Sequence, residues 1–131
     1  MASGSYLRVH FKQCVAVAQA IRGKDIIAAK KYLNDVIAHK TVVAFTKHNG
    51  GLGRHAQGHS VKNGNQCAWP EKACRFFLVL LNNLQANGES KELDASKLYI
   101  SHAQVNRAPV GHRRTYRAHG RIGRTSLPLR R

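Results

Sequence analysis

The chain has 131 residues, and its 22 lysines and arginines against 6 acids give a formal net charge of +16. A single domain suits this length, and a hydrophobic content of 43% is enough for a folded core. The charge favours a polyanionic partner, and the absence of any run of about 18 apolar residues argues against a membrane-spanning helix.

The first forty residues predict one strand and two helices. Apolar and basic residues alternate from Leu7 to Phe11, which is typical of a short strand with one buried face. Residues 13–22 predict a short helix that ends at a glycine able to adopt a left-handed cap. A second helix is predicted over residues 25–40, because its apolar residues recur at three- and four-residue steps.

The middle of the chain predicts a long loop followed by the main core helix. Residues 44–68 are glycine-rich, basic and aperiodic, and loops of this length in small domains are usually functional or disordered. Pro70 and Glu71 are typical of a helix start, and Asn87-Gly88 predicts its end. The apolar stripe of this helix is the strongest in the chain: Ala73, Phe76, Phe77, Leu80, Leu81 and Leu84, widened by Leu78 and Val79.

The final third of the chain contains no acid and ends in an arginine segment. Residues 98–105 predict a strand that leads into residues 112–124, where five arginines surround Tyr116. Guanidinium groups bind phosphate oxygens and stack on bases, which indicates a nucleic-acid partner. Residues 36–70 form a second acid-free stretch, and we expect the two stretches to converge on one basic surface.

Two structures remain open for the arginine segment. It is either a disordered basic tail or an extended hairpin arm that becomes ordered on its target, with Gly120 and Gly123 as turn residues. RNA is the favoured partner in both cases, because no predicted helix has the basic, base-reading face of a protein that reads the DNA major groove.

Three other functions have weaker support from the sequence: nucleotide binding, zinc binding and catalysis. Gly51-Leu52-Gly53 lacks the Gly-Lys-Ser/Thr ending of a phosphate-binding loop. His55 and His59 could bind zinc together with Cys67 and Cys74, but six residues between the two cysteines is a wide spacing. No nucleophile or pair of carboxylates can be singled out for catalysis, so we expect no enzymatic activity, no metal and no cofactor.

The cysteines and the N-terminus bear on the cellular compartment. Cys14, Cys67 and Cys74 are odd in number, which favours reduced thiols in an intracellular protein. The N-terminus has no continuous apolar segment after a basic start, so we expect no secretory signal.

Several stretches of the sequence resemble one family, the eukaryotic form of the universal large-subunit ribosomal protein twenty-two family, also called large-subunit protein seventeen. The Arg113–Ile122 stretch, Arg-Arg-Thr-Tyr-Arg-Ala-His-Gly-Arg-Ile, is the most specific. The others are Gly4–Lys12, Asn49–Gln57 and Tyr99–Pro109. With the helices between them, the resemblance covers nearly the whole chain.

The resemblance implies an α+β fold with three helices packed on a small antiparallel sheet. It also implies a long basic β-hairpin that threads through ribosomal RNA and lines the nascent-peptide exit tunnel. We expect residues 1–107 to form the body and residues 108–131 the extension, referred to below as the arm. After Ile122 the sequence departs from the family pattern, so we expect a truncated return strand. The departure at Gln13–Val17, apolar where the family is polar, disfavours RNA contacts at the start of the first helix.

The function that the resemblance implies is that of a structural constituent of the large ribosomal subunit. The alternative is an extra-ribosomal RNA-binding protein with a disordered arginine tail. Implied partners are large-subunit ribosomal RNA, neighbouring ribosomal proteins and the nascent polypeptide, in cytoplasmic ribosomes with assembly in the nucleolus. The predicted RNA-binding residues are Arg8, Lys12, Lys47, Arg54, His55, Arg107, Arg113, Arg114, Tyr116, Arg117, His119, Arg121 and Arg124.

Overall fold

A computed structural model gives the fold of residues 1–60, 65–94, 97–109, 115–116, 119 and 122–123. Three α-helices lie in this part of the chain: α1 (Phe11–Ile21), α2 (Ile26–Ile37) and α3 (Glu71–Glu89). Two short antiparallel pairs accompany them, β1 (Val43–Ala44) with β2 (Cys67–Ala68), and β3 (Thr115–Tyr116) with β4 (Ile122–Gly123). The predicted α+β class with three helices and a small antiparallel sheet is therefore confirmed.

The three helices and β1 enclose one hydrophobic core. Helix α2 packs along α3, and α1 packs against both β1 and α3. The Tyr32 hydroxyl donates a hydrogen bond to the Val42 carbonyl at 2.9 Å, which fixes α2 against the segment that enters β1. The largest fully buried side chains come from all of these elements: Val17, Ile21, Leu33, Val36, Val43, Cys67 and Cys74.

The apolar residues predicted to form the buried stripe of α3 are covered on one side of the helix only. Ala73 and Leu81 are buried, and the remaining apolar residues of the stripe are half-buried against the core. Val79, predicted to widen the buried stripe, is instead 65% exposed. The helix also continues past its predicted end at Gly88. A Cβ at this position would lie 2.8 Å from the Leu98 side chain. Gly88 therefore allows Leu98 to pack closely against α3 and does not end the helix.

The predicted strand over Leu7–Phe11 is wrong. Phe11 is the first residue of α1, and Tyr6 has a φ of 52°, which is incompatible with an extended strand. The Val9 amide donates to the Leu7 carbonyl at 2.8 Å, a local turn that still buries Val9. Five alternating residues predict which side chain is buried, but they contain no information about a neighbouring strand.

The predicted strand over residues 98–105 is also wrong for most of its length. Tyr99 forms an isolated antiparallel bridge with Asp25, and Ile100 exchanges backbone hydrogen bonds of 2.8 and 2.9 Å with Gly23 and Lys24. The segment therefore pairs with the connection between α1 and α2, where Gly23 adopts its expected positive φ of 79°. No strand is assigned to residues 101–109.

Residues 44–68 form a closed loop rather than a wholly irregular one. Val43 pairs with Ala68 and Ala44 with Cys67, so β1 and β2 hold its two ends together. Inside the loop, Arg54 bridges to Gln66, and a 3-10 helix spans Ala56–Ser60. No helix in the described part of the chain is long and apolar enough to cross a membrane.

Candidate nucleic-acid interface

The arm begins at a cluster centred on the ring of Phe11. The guanidinium carbon of Arg107 lies 4.9 Å from the ring centroid, and the imidazole of His48 lies 6.2 Å away, edge-on at 61°. A cation over an aromatic face is attracted by the ring quadrupole. We call Phe11, His48 and Arg107 the Phe11 cluster. Since His48 and Arg107 belong to the two acid-free stretches, these stretches meet in space here, as expected from the charge pattern.

Three predicted RNA-binding residues adjoin the Phe11 cluster along the chain. Arg8 precedes α1 and is exposed, Lys12 follows Phe11 and is half-buried, and Lys47 precedes His48 and is exposed. Within the described residues, none of them forms an ion pair with a carboxylate. Unpaired cations of this kind attract a polyanion, and the attraction weakens as salt increases.

A second group of rings surrounds Trp69, immediately before α3. His39 stacks on the indole with a centroid separation of 5.1 Å and an interplanar angle of 13°. His55 contacts the same ring at 4.7 Å, tilted by 58°. The His39 Nε2 atom lies 2.9 Å from Glu71 Oε1. We call these four residues the Trp69 cluster. It contains the predicted residue His55, whose neighbour in the chain, Arg54, is exposed.

The one acid in the Trp69 cluster is neutralised by its neighbours. The hydrogen bond from His39 is the main reason that the pKa of Glu71 lies below its ordinary value, and charge attraction from His39 and Arg75 adds to it. Arg75 Nη2 lies 3.7 Å from Glu71 Oε2. A carboxylate that is paired with Arg75 and hydrogen-bonded to His39 reduces the positive potential of this surface only locally.

The arm contains a hairpin. Thr115 pairs with Gly123 and Tyr116 with Ile122, so the turn falls within the arginine segment. His119, in the turn, is exposed and has a φ of 64°. The described ladder has two residues on each strand, and β4 supplies a return strand of that length. The other predicted arm residues lie outside the described part of the structure: Arg113, Arg114, Arg117, Arg121 and Arg124.

The histidines and cysteines that could bind zinc do not gather. Across the described ranges, no three His, Cys, Asp or Glu side chains are placed to hold a metal ion. His55 and His59 are exposed, whereas Cys67 and Cys74 are buried free thiols. Burial raises the pKa of Cys74 to about 11, which keeps the free thiol protonated at neutral pH.

Five side chains of these clusters were not predicted from the sequence as site residues: Phe11, His39, His48, Trp69 and Glu71. Phe11 was assigned to a buried strand face, and nothing in its local sequence indicates a cationic partner. The single tryptophan of the chain, which ends an acid-free stretch containing four histidines, was a usable signal for the Trp69 cluster.

Comparison with known proteins identifies the family. The family model described as ribosomal protein L22p/L17e matches residues 2–129. A protein of Theileria parva named large ribosomal subunit protein uL22 is 57% identical over 121 residues. Its namesake in Zea mays and protein uL22B of Saccharomyces cerevisiae are each 50% identical.

The alignments cover most of this chain but less of the relatives. They include 92% of the chain with the Theileria parva and Zea mays proteins and 94% with the yeast protein. The chain spans 64% of the length of the Theileria parva protein, 71% of the Zea mays protein and 66% of the yeast protein. All three are named as ribosomal proteins and none as an enzyme, in agreement with the predicted absence of catalysis. The chain belongs to the ribosomal protein L22p/L17e family.

Proposed function

We propose that this chain is a structural component of the large ribosomal subunit that binds ribosomal RNA without catalysis. Its relatives are named large ribosomal subunit proteins, which supports incorporation of this chain into the large subunit. The net charge of +16 supports the polyanionic partner. In this proposal the protein resides in cytoplasmic ribosomes after assembly in the nucleolus, beside other large-subunit proteins.

The observation that carries the proposal is the Phe11 cluster. Arg107, at the root of the arm, and His48, in the loop, both contact the ring of Phe11, so the two acid-free stretches lie side by side there. Arg8, Lys12 and Lys47 extend this surface. RNA backbone lying across the Phe11 cluster would contact the body and the arm at once.

We propose further that the arm enters ribosomal RNA with the β3–β4 turn at its tip, and that the tip lines the path of the nascent polypeptide. The family resemblance of Arg113–Ile122 supports this role, together with the position of the turn inside the arginine segment. In this proposal, Arg113, Arg114, Arg117, His119 and Arg121 neutralise RNA phosphates, and Tyr116 offers a stacking face.

Co-sedimentation with ribosomal subunits tests the proposal. The tagged chain is expressed in a eukaryotic cell, and lysates are resolved on high-magnesium gradients. We expect the chain in the large-subunit and polysome fractions, and absent from the small-subunit peak. A chain that binds free RNA but stays off the large subunit would instead support the extra-ribosomal alternative.

A further inference from the structure

The Trp69 cluster contains an unusual helix end. Helix α2 is followed by His39 with a φ of 59°. The His39 amide donates to the Val36 carbonyl at 3.1 Å, and the Lys40 amide donates to the Asp35 carbonyl at 2.8 Å. This is the hydrogen-bond pattern of a Schellman motif, whose left-handed position is usually glycine. A histidine there is disfavoured by its Cβ, so its side chain must make interactions that offset the strain.

The contacts of His39 occupy one face and one edge of its ring. Trp69 stacks on that face, and Glu71 holds the Nε2 atom at the edge. The side chain nevertheless remains 53% exposed. Trp69 and Glu71 therefore fix the plane of the imidazole, which presents a flat surface to solvent with little freedom left to lose on binding.

The surroundings of this surface are basic. Lys40 and Arg54, adjacent in sequence to His39 and His55, are exposed. On α3, Lys72 and Arg75, which both follow Glu71 in the chain, are exposed. The acids of the region are Glu71, which is paired, and Asp35, which is half-buried on α2.

We infer that the face of the His39 ring opposite Trp69 binds an unpaired base of RNA, with Lys40 and Arg54 on the adjoining phosphates. A planar ring held within a basic surface is the combination by which single-stranded nucleic acid is bound, because every base has a face that can stack. An acidic peptide would satisfy the cations but would leave the flat surface unused. The inference rests on the proposed RNA-binding function and adds a second contact, separate from the arm.

The single tryptophan makes the site directly observable. The full-length protein is titrated at low salt with a single-stranded 12-nucleotide RNA, with an RNA duplex of the same length, and with polyglutamate. Trp69 emission is recorded together with the anisotropy of a label on each RNA. We expect the single strand to change Trp69 emission, whereas the duplex binds without changing it and polyglutamate has no effect.

Two variants locate the effect. H39G removes the ring while satisfying the left-handed backbone, and the control H59G removes an exposed imidazole of the 3-10 helix. We expect H39G to weaken single-strand binding about five- to a hundredfold, the range measured for single stacking side chains. Duplex binding should stay within about twofold, and H59G should leave both affinities unchanged.

The outcomes separate this inference from the proposed function. If both RNAs bind but Trp69 emission is constant and H39G matches the unmodified protein, base stacking at His39 is wrong and RNA binding stands. An equal emission change with polyglutamate would also overturn base recognition. If neither RNA binds, the proposed function and the inference both fail.

Discussion

Arg107 places its guanidinium carbon 4.9 Å from the centre of the Phe11 ring, which joins the root of the arm to the first residue of α1. The contact joins residues that are far apart in sequence, and both belong to the described body. It ties Arg107, the last residue before the arm, to the start of α1, so its strength bears on how firmly the arm is attached.

The coupling between these two residues can be measured with a double-mutant cycle. Phe11→Leu, Arg107→Met and the double variant are compared by urea denaturation. We expect a coupling free energy of about 0.5–1 kcal/mol, because Arg107 is exposed and Phe11 is only half-buried. Lys24 and Tyr32, whose ammonium-to-ring distance is 5.3 Å, supply a comparison pair in the body. A coupling of zero would show that the Arg107 contact does not hold the arm in solution.

Removing two arginines of the arm should change the salt dependence of RNA binding. Each neutralised phosphate contributes roughly 0.7–0.9 to the slope of log affinity against log salt. We therefore expect Arg113→Ala with Arg114→Ala to reduce the slope by up to about two, measured by anisotropy across a salt series. Lys31→Ala with Lys91→Ala removes the same charge outside the acid-free stretches and serves as the control. An unchanged slope would remove Arg113 and Arg114 from the interface.

Gly58 should tolerate no side chain. A Cβ at this position would lie 2.7 Å from Cys67 Sγ and 3.0 Å from the backbone of Asn65. Gly58→Ala must therefore displace the 3-10 helix or β2, and we expect a loss of about 1–3 kcal/mol in the free energy of unfolding. Gly50→Ala is the matched control, since nothing lies within 4 Å of a Cβ there. Equal stability of the two variants would contradict the observed packing of the loop.

The pairing of Glu71 predicts a specific pH dependence. Because the hydrogen bond from His39 lowers the pKa of Glu71 in the folded state, ionised Glu71 stabilises the protein above its unfolded pKa of 4.5. This contribution is lost as the pH falls through the lower, folded value. Comparing Glu71→Gln with the unmodified protein by thermal unfolding from about pH 6 to about pH 3 should show a difference that shrinks on acidification. A difference independent of pH would exclude the ionised pair.

Local sequence patterns predicted the helices well, because helix periodicity is a property of neighbouring residues. The ranges of α2 and α3 follow their apolar residues, and Pro70 marks the start of α3. The two predicted strands failed for the opposite reason, since a strand depends on a partner that its own residues do not specify. Leu98 and Ile100 found their backbone partners at the α1–α2 connection.

The composition of the candidate site was predictable, but its geometry was not. Acid-free stretches indicated a basic surface, and they do meet at Phe11. Which side chains meet depends on packing between distant segments. His39 illustrates this limit, because its stack on Trp69 arises only once α2 and α3 are side by side.

The hydrogen bonds that join Ile100 to Gly23 and Lys24 make the base of the arm a long-range closure of the chain. Ile100 lies shortly before the arm, whereas its partners lie in the connection between α1 and α2, near the start of the chain. The position of the segment that enters the arm therefore depends on this corner. A mutation that loosens this corner would act as an RNA-binding defect, although it alters no residue that contacts RNA.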